Sequence, residues 1–422
     1  MQDLKGKKLL ILAGRPIGTE DIIKYAQSKG VYTIVVDYLP KEKSIGKRMA
    51  DECWDISTAE VDEIVKRAKE AHVDGVYTGV HEFNVVKTME VCERLGLPFY
   101  ATKEQWEVGT DKALFKKICN KYDLPTAKTY ALSELSGIQY PVIVKPVDGS
   151  SGKGISICQN EKETKVAYQV ALEESIKKEV IIEQYLYGEE FVVFYTIVNG
   201  VSKLSVMTDY YYNYDQKVTM PLPQVYIYPS MFLDEYMTTL DDKVKKMLNG
   251  IDIKNGTFFL QGFKNENGFF FFEPGYRPGG SSTCRYTKYL NNISYMDMLV
   301  NYALTGSMGD DVEKENPYFT KPCCTLSLVV KGGTIGNIIG YDKYAKDECI
   351  ISSEQRFNVG DNVKEKSALG QIVLRFFIVC NTFYEIIDKI NEIQKEVKVL
   401  DANGENMLIN PFDTTRIVNV YK

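Results

Sequence analysis

One stretch sets the interpretation of the whole chain: YPVIVKPVDGSSGKGISIC, residues 140–158. Residues 142–144 are typical of a buried strand, and residues 155–157 of a strand that returns after a tight turn. Between them, residues 148–154 are small and rich in glycine, which leaves their backbone N–H groups uncovered. Such groups form a concave site for phosphate oxygens. The pattern therefore predicts a β-hairpin whose tip binds phosphate.

This loop is not a P-loop. The P-loop needs a glycine five residues before its Gly-Lys pair and a Ser or Thr after it, whereas Val147 and Gly154 stand there. The loop also joins two strands rather than a strand and a helix. Phosphate binding is thus predicted on another scaffold, and a plain hairpin tip is the open alternative because such tips favour Gly and Ser.

Composition favours a soluble globular protein of several domains: the 422 residues are 44% hydrophobic. The net charge of −6 arises from 51 basic and 57 acidic residues that are mixed along the chain. This excludes the basic surface that neutralises nucleic-acid phosphates, so no nucleic-acid partner is expected. The nine cysteines show no CxxC or metal-binding spacing, which is typical of reduced core thiols in a cytoplasmic protein.

No membrane partner is expected either. The first eight residues are polar and lack the order of a signal peptide. The longest apolar runs, GFFFFEPG and GQIVLRFFIVCN, are far shorter than the roughly 20 residues that cross a bilayer.

Residues 1–108 alternate strand and helix patterns, which predicts a doubly wound parallel sheet. Ser57 and Glu60 match a capping box that opens a helix ending near His72. Asp37, at the end of the second strand, would suit a dinucleotide ribose. However, the segment from Gly14 to Gly18 lacks the three-glycine spacing, and its Arg15 and Pro16 would crowd a pyrophosphate, so this alternative is disfavoured.

The remainder of the chain is predicted as two more domains, 109–305 and 306–422. A helix over 102–122 leads into the hairpin, followed by a helix near 161–177, the strand VIIEQYL and a β-rich stretch to Gly280. From residue 306 short strands and turns alternate with one helix, which predicts a small α+β domain.

Four motifs occur in order: TDKALFKKI, VIVKP with its glycine loop, IIEQYLYGEEFVV, and LQGFKNENGFFFFEPGYRPGG. With this set the sequence resembles the ATP-grasp family of carboxylate–amine ligases, most closely members similar to the carbamoyl-phosphate synthase large subunit, phosphoribosylglycinamide synthetase and carnosine-synthase-like enzymes. The resemblance covers nearly the whole chain. It implies a mixed α/β and α+β protein with a pre-ATP-grasp parallel sheet, a body that holds ATP between two β-rich subdomains, and a small C-terminal α+β domain.

The resemblance implies an ATP site. Its phosphate-binding residues are Lys112, Lys145, Ser150, Ser151, Gly152 and Gly154, and its adenine- and ribose-binding residues are Glu183, Gln184, Leu186 and Glu190. Apart from the resemblance, a buried lysine without a partner is costly, so Lys145 is expected to face a charged ligand, while Lys153 is expected to be solvated. Glu189 competes with Glu190 for the ribose role, and because strand neighbours point to opposite faces only one can serve.

The resemblance also implies a magnesium site on Gln261 and Glu273, since Mg²⁺ prefers oxygen ligands near phosphate. The family pattern Glu-x-Asn-x-Arg is broken here, because Gly275 stands in place of the asparagine. One of two metal ions is therefore in doubt, with water or a weaker site as its replacement. If Gly275 is the cause, Gly275→Asn should raise the magnesium affinity or the ATPase rate.

Substrate residues are implied in the same region. Arg277 matches the arginine that faces the acyl phosphate, and its planar fork suits carboxylate and phosphoryl oxygens. Gly279 and Gly280 begin a small-residue loop that in relatives holds the substrate carboxylate. The aromatic segment 208–229 could line the acceptor pocket through Asp209, Tyr210 and Lys217, although such clusters are more often packing.

The resulting hypothesis is an ATP- and Mg²⁺-dependent ligase in which Lys145 and Arg277 act on an acyl phosphate. It implies small-molecule carboxylate and amine substrates and allows a homodimer. A non-catalytic ATP-binding regulator, or a synthase subunit with a degenerate metal site, is the alternative from another class. A dinucleotide oxidoreductase is the weakest option.

Overall fold

The computed structural model describes residues 3–14, 18–148, 153–212, 223–365, 368–418 and 421. Its first part is an α/β layer built on four parallel strands in the order β3-β2-β1-β4. The elements are β1 (Lys8–Leu12), α1 (Thr19–Ser28), β2 (Tyr32–Val36), α2 (Ile45–Met49), β3 (Glu52–Trp54), α3 (Val61–Ala71), β4 (Gly75–Thr78), α4 (Glu82–Leu95) and α5 (Lys103–Val108). The predicted parallel sheet is confirmed, with β3 as an additional edge strand.

Two details of this part differ from the sequence expectations. α3 begins at Val61 with Glu60, not Ser57, at its N-cap position; Ser57 lies in the preceding turn, where its N–H donates to the Glu60 carboxylate at 2.9 Å. Asp37 accepts from the Gly14 N–H at 2.9 Å and so closes the first turn. Arg15 and Pro16 lie outside the described residues.

A small antiparallel sheet of order β5-β8-β6-β7 carries the glycine loop. Its elements are α6 (Lys112–Lys121), β5 (Thr129–Tyr130), β6 (Val142–Pro146), β7 (Ser156–Cys158), α7 (Glu161–Glu174) and β8 (Val180–Gln184). The predicted hairpin is confirmed, since Val142, Ile143 and Val144 pair with Cys158, Ile157 and Ser156. The helix expected over 102–122 is two helices, because the chain turns at Gly109 before Asp111 caps α6.

An eight-stranded sheet of order β13-β12-β9-β10-β11-β14-β18-β16 forms the centre of the molecule. Residues 189–305 supply five of its strands together with four helices: β9 (Glu189–Val198), β10 (Val201–Tyr212), β11 (Pro223–Tyr228), α8 (Leu233–Thr239), α9 (Asp241–Gly250), β12 (Gly256–Asn265), β13 (Gly268–Gly275), α10 (Cys284–Asn291) and α11 (Tyr295–Thr305). The stretch predicted as β-rich thus contains two helices, α8 and α9. They bury Tyr236, Val244 and Met247 against the sheet, and this amphipathic packing outweighs the local strand signals.

The second half of the sheet comes from the last third of the chain. This part of the chain contains β14 (Cys323–Val329), β15 (Gly333–Ile339), α12 (Tyr341–Tyr344), β16 (Ile350–Gln355), β17 (Asn362–Val363), β18 (Ile372–Val379), α13 (Phe383–Glu396), β19 (Lys398–Asp401) and α14 (Thr415–Val418). Of these strands, β14, β16 and β18 belong to the central sheet, whereas β15, β17 and β19 form a separate sheet of order β17-β15-β19. β14 pairs directly with β11, so one sheet crosses the boundary predicted at 305/306. Seven of the nine cysteines are buried, in agreement with core thiols. No described helix is long and apolar enough to cross a membrane.

Candidate functional site

Glu183 lies between two lysines on the small sheet. On β8 it is 4% exposed, and its Oε2 lies 2.5 Å from the Nζ of Lys145 on β6. Its Oε1 accepts from Lys116, which α6 presents from another direction and which also donates to the Ala127 carbonyl. Burial alone would raise the pKa of Glu183, but the charges of Lys145 and Lys116 outweigh it and lower the pKa below its ordinary value. The lysine expected to need a ligand therefore already has a protein carboxylate as its partner.

The start of the glycine loop is fixed by its neighbours. The Lys112 N–H donates to the Val147 carbonyl at 3.1 Å, and Asp111 caps the same helix through the Leu114 N–H. Asp148 accepts from Ser175 at 2.7 Å and from the Lys177 N–H at 2.9 Å. Lys112 is thus held beside the strand end that leads into the loop. Its predicted partners Ser150, Ser151 and Gly152 lie outside the described residues.

The far side of the loop is described again from Lys153, which is exposed as expected. Gly154 has φ +70°, and an added Cβ would lie 3.1 Å from Glu174. Both the left-handed backbone and the proximity of α7 therefore favour glycine at this position.

A second cluster of oxygen ligands lies on the central sheet. Gln261 on β12 pairs directly with Glu273 on β13, and its amide N–H donates to Glu190 on β9. Tyr212 donates to the other oxygen of Glu190. Burial, together with the charge of Glu273, raises the pKa of Glu190 to about 7. Glu189 is exposed on the opposite face, so of the two rival acids only Glu190 lies with Gln261 and Glu273.

This donor set fits a hard divalent cation such as Mg²⁺. Glu273 offers carboxylate oxygens, and Gln261 offers an amide oxygen in addition to the N–H that it donates to Glu190. Magnesium is commonly held by one or two carboxylates together with phosphate oxygens and water. No cluster of three His, Cys, Asp or Glu occurs among the described residues, so any such site has few side-chain ligands.

The space beside Gly275 is occupied by Phe259. The two residues pair across β12 and β13, and a Cβ added at Gly275 would lie 2.2 Å from the Phe259 ring. The Gly275 backbone has no positive φ, so it is the ring and not the backbone that requires glycine. The prediction for Gly275→Asn holds only if the position accepts a side chain, and the Phe259 ring would have to shift to make room for it.

Arg277 stands above this ring. Its guanidinium carbon is 5.2 Å from the centroid of Phe259, and its Nη2 donates to Glu82 of α4 at 2.8 Å. Gly279 approaches the neighbouring Phe194, where an added Cβ would lie 2.4 Å from the ring. Gly280 accepts from the buried Arg375 at 2.9 Å. The segment 273–280 is thus laid closely over an aromatic surface, with the arginine facing the first domain.

The aromatic segment contributes less to the site than expected. Tyr210 pairs with Glu190 and packs edge-on against Tyr226, with 4.5 Å between ring centroids, so it lies on the face of the oxygen cluster. Asp209 points to the opposite face, where it accepts from Ser230 and from the Met231 N–H at 2.9 Å. Because strand neighbours alternate, Asp209 and Tyr210 do not lie on the same face, and only Tyr210 lies on the face of the oxygen cluster. Lys217 lies outside the described residues.

Sequence reasoning missed Lys116, Tyr212 and Phe259, and it placed Glu82 at a strand end that a substrate could reach without predicting its contact with Arg277. Lys116 follows Lys112 by one helical turn, and that spacing was a usable signal. Tyr212 was part of the aromatic segment but was not singled out. The contacts of Glu82 and Phe259 with Arg277 have no local signal, because they come from tertiary structure.

Comparison with known proteins places this geometry in context. Residues 138–284 match the model of the ATP-grasp domain. The chain is 37% identical over 114 residues to D-alanine–D-alanine ligase of Fusobacterium nucleatum, over 25% of this chain and 36% of that protein. It is 27% identical over 213 residues to phosphoribosylamine–glycine ligase of Caldanaerobacter subterraneus, over 48% of this chain and 50% of that protein. The chain therefore spans half or less of the length of these two curated relatives.

The fold extends further than the sequence match. The biotin carboxylase domain of Hydrogenobacter thermophilus 2-oxoglutarate carboxylase, solved with MgADP, ADP and bicarbonate, superposes with a TM-score of 0.79. The match covers 99% of this chain and 98% of that one at 18% identity. At this identity the likeness concerns the fold, and it includes the regions before and after residues 138–284.

Proposed function

We propose that the protein is an ATP-dependent carboxylate–amine ligase that forms an amide or peptide bond through an acyl phosphate, with Mg²⁺. The match of residues 138–284 to the ATP-grasp domain model supports this proposal. The observation that carries the proposal is a pair of buried charged clusters. Lys145 and Glu183 lie on the small sheet, and Glu190 lies with Gln261 and Glu273 on the central sheet. The two antiparallel sheets thus present charged groups that would suit phosphate on one side and a hard cation on the other.

The nucleotide roles of the residues are those that the resemblance to the ATP-grasp family implies. The adenine would meet the Glu183 carboxylate and the main chain at Gln184 and Leu186. Glu190 would accept from the ribose hydroxyls, and the phosphates would bind Lys112, Lys145 and the loop residues Ser150, Ser151, Gly152 and Gly154. Gln261 and Glu273 would hold Mg²⁺, which neutralises phosphate charge when bound. The burial of Lys145, Glu183 and Glu190 supports these assignments.

The proposed reaction has two steps. A substrate carboxylate oxygen attacks the γ-phosphorus, the bond to ADP breaks, and an acyl phosphate forms. The substrate amine then attacks the acyl carbon, phosphate leaves, and the nitrogen loses a proton as the amide forms. Lys145 and Arg277 would stabilise the charge on the transferred group, and no side-chain nucleophile is required.

The residues near the site support a class of substrates rather than particular compounds. Arg277, Gly279, Gly280 and Tyr210 lie on or over the face that carries Glu190, so small-molecule carboxylate and amine substrates are the expected partners. The cytoplasmic location and the homodimer stay predictions. Analytical ultracentrifugation measures the oligomeric state. A non-catalytic ATP-binding protein is the competing function.

Magnesium-dependent ADP release over a panel of amino acids tests the proposal. We expect turnover with at least one pair of substrates. We also expect Glu273→Gln to abolish turnover while the far-UV circular dichroism spectrum stays unchanged. Glu266→Gln, an exposed acid in the turn of the same hairpin, is the matched control and should retain activity. ATP binding without ADP release on any panel member would favour the non-catalytic alternative.

A further inference from the structure

The small sheet buries one carboxylate between two ammonium groups. The side chains of Glu183, Lys145 and Lys116 are 5%, 6% and 13% exposed, and each oxygen of Glu183 contacts one lysine. The cluster therefore carries one positive charge more than its carboxylate neutralises. Only one of the two lysines is needed to balance Glu183.

The two lysines are held differently. Lys116 has a second partner, the Ala127 carbonyl, in addition to Glu183. Lys145 pairs with Glu183 from near the end of β6, two residues before Val147 and the glycine loop. Lys116 is thus fixed to the body of the small sheet, whereas Lys145 is the lysine placed next to the phosphate-binding segment.

Charge balance decides what happens when a phosphate arrives. Breaking a buried ion pair by removing one partner is strongly unfavourable, because an uncompensated charge remains. If Lys145 were the only cation at Glu183, a nucleotide phosphate would have to overcome this cost to draw Lys145 away. With Lys116 in place, Glu183 stays neutralised and Lys145 is released at little cost.

We propose that Lys116 is a positioning residue that retains Glu183 while Lys145 turns to the nucleotide phosphates. This inference rests on the proposed ATP site and deepens it. Lys116 does not itself contact the phosphates; it acts through Glu183 on Lys145. The competing role is purely structural, in which Lys116 only ties α6 to the Ala127 carbonyl.

The test compares ATP with adenosine, because the ratio of their dissociation constants isolates the phosphate contribution from adenine recognition. Both are measured by competition calorimetry on the full chain. In Lys116→Met, Lys145 should stay paired with Glu183 and contact the ATP phosphates less. We therefore expect the adenosine-to-ATP Kd ratio to fall by about tenfold or more. Lys116→Gln removes the charge but keeps a donor for Ala127, and it should show the same fall. A purely structural role predicts no change of the ratio in Lys116→Gln.

A double variant separates the two roles of Lys116. In the double variant Lys116→Met/Glu183→Gln no carboxylate holds Lys145. The adenosine-to-ATP Kd ratio should therefore rise again to near the value of the parent protein. Lys117→Met, the exposed neighbour on α6, is the matched control and should leave the ratio unchanged. A parent protein that binds ATP, with an unchanged ratio in both Lys116 variants or no recovery in the double variant, overturns this inference alone. A parent that binds neither ATP nor adenosine overturns the proposed function and this inference with it.

Discussion

Single residues in this protein are constrained mainly by what faces them across the sheet. Gly275 is an example: its missing side chain gives room to the Phe259 ring, over which the Arg277 guanidinium lies. Glu315 shows the opposite situation, since it is 7% exposed and one of its oxygens has no hydrogen-bond partner among the described residues. Both residues allow predictions that depend on one contact.

Gly275→Ala should destabilise the fold by about 1–3 kcal/mol, because the added methyl group overpacks against Phe259. Gly275→Ala combined with Phe259→Leu should lose less than the sum of the two single changes. Urea denaturation measures both. Gly137→Ala, where no atom lies within 4 Å of the new Cβ, is the control and should be neutral. Additive losses in the double variant would show that the collision with Phe259 is not the cause.

Glu315 should make the protein less stable as the pH rises. Burial raises its pKa to about 7 in the folded state, above the ordinary value, so the folded state binds the proton more tightly than the unfolded state. The associated stability is present below about pH 4.5 and is lost as the pH rises through about 7.

Glu315→Gln should therefore raise the unfolding free energy at pH 8 by on the order of 2 kcal/mol and change it little at pH 5. Thermal denaturation at the two pH values checks this. Glu313→Gln, with its side chain 68% exposed in the same segment, serves as the control. Equal effects at both pH values would mean that Glu315 is not protonated in the folded protein.

At the scale of elements, helix α4 connects the first domain to the site. Its first residue, Glu82, accepts from Arg277 at 2.8 Å, and the two side chains are 37% and 16% exposed. Tyr276, one residue earlier, turns the other way and donates to the Tyr100 carbonyl at 2.8 Å. The strand end after Gly275 is thus fixed to the first domain on both sides.

The Glu82–Arg277 pair should show a measurable coupling energy. A double-mutant cycle with Glu82→Gln and Arg277→Gln is expected to give roughly 0.5–1 kcal/mol, because the pair is partly exposed. The Arg94–Asp62 pair between α4 and α3 has a similar distance of 2.7 Å, but its side chains are 40% and 95% exposed. A double-mutant cycle on this control pair should therefore give a coupling energy near zero. A coupling energy at Glu82–Arg277 no larger than at the control pair would contradict the proposed attachment.

At the scale of the whole molecule, the end of the described chain returns to the central sheet. Tyr421 donates to Asp209 on β10, and Arg416 donates to the Tyr212 carbonyl on the same strand. Tyr212 in turn donates to Glu190. The last third of the chain therefore completes the sheet and also supports the strand that carries part of the oxygen cluster.

Tyr421→Phe should cost about 1–2 kcal/mol above pH 6, because the buried carboxylate of Asp209 would lose a donor. Burial raises the pKa of Asp209 to about 6, so the cost should shrink at pH 5, where the carboxyl is protonated. Urea denaturation at pH 5 and pH 8 measures the difference. Tyr384→Phe, at a tyrosine that is 62% exposed, provides the comparison. A loss that is independent of pH would count against the bond to Asp209.

The sequence by itself determined the local elements and the order of the motifs. The alternation of strands and helices predicted the parallel sheet, and the apolar runs around the glycine loop predicted the β6–β7 hairpin. Strand alternation also indicated that only one of Glu189 and Glu190 can lie at the site. These features depend on neighbours along the chain, where side-chain period and turn chemistry act directly.

Tertiary structure alone decided which distant residues meet. Lys116 contacts Glu183, 67 positions away along the chain. Glu82 and Phe259 both contact Arg277, which lies 195 and 18 positions away from them. No local pattern encodes such pairs. The same holds for the pairing of β11 with β14, which merges two predicted domains into one sheet. The physical reason is that burial, register and charge balance are settled only when elements pack, since each depends on partners that the chain brings together from far apart.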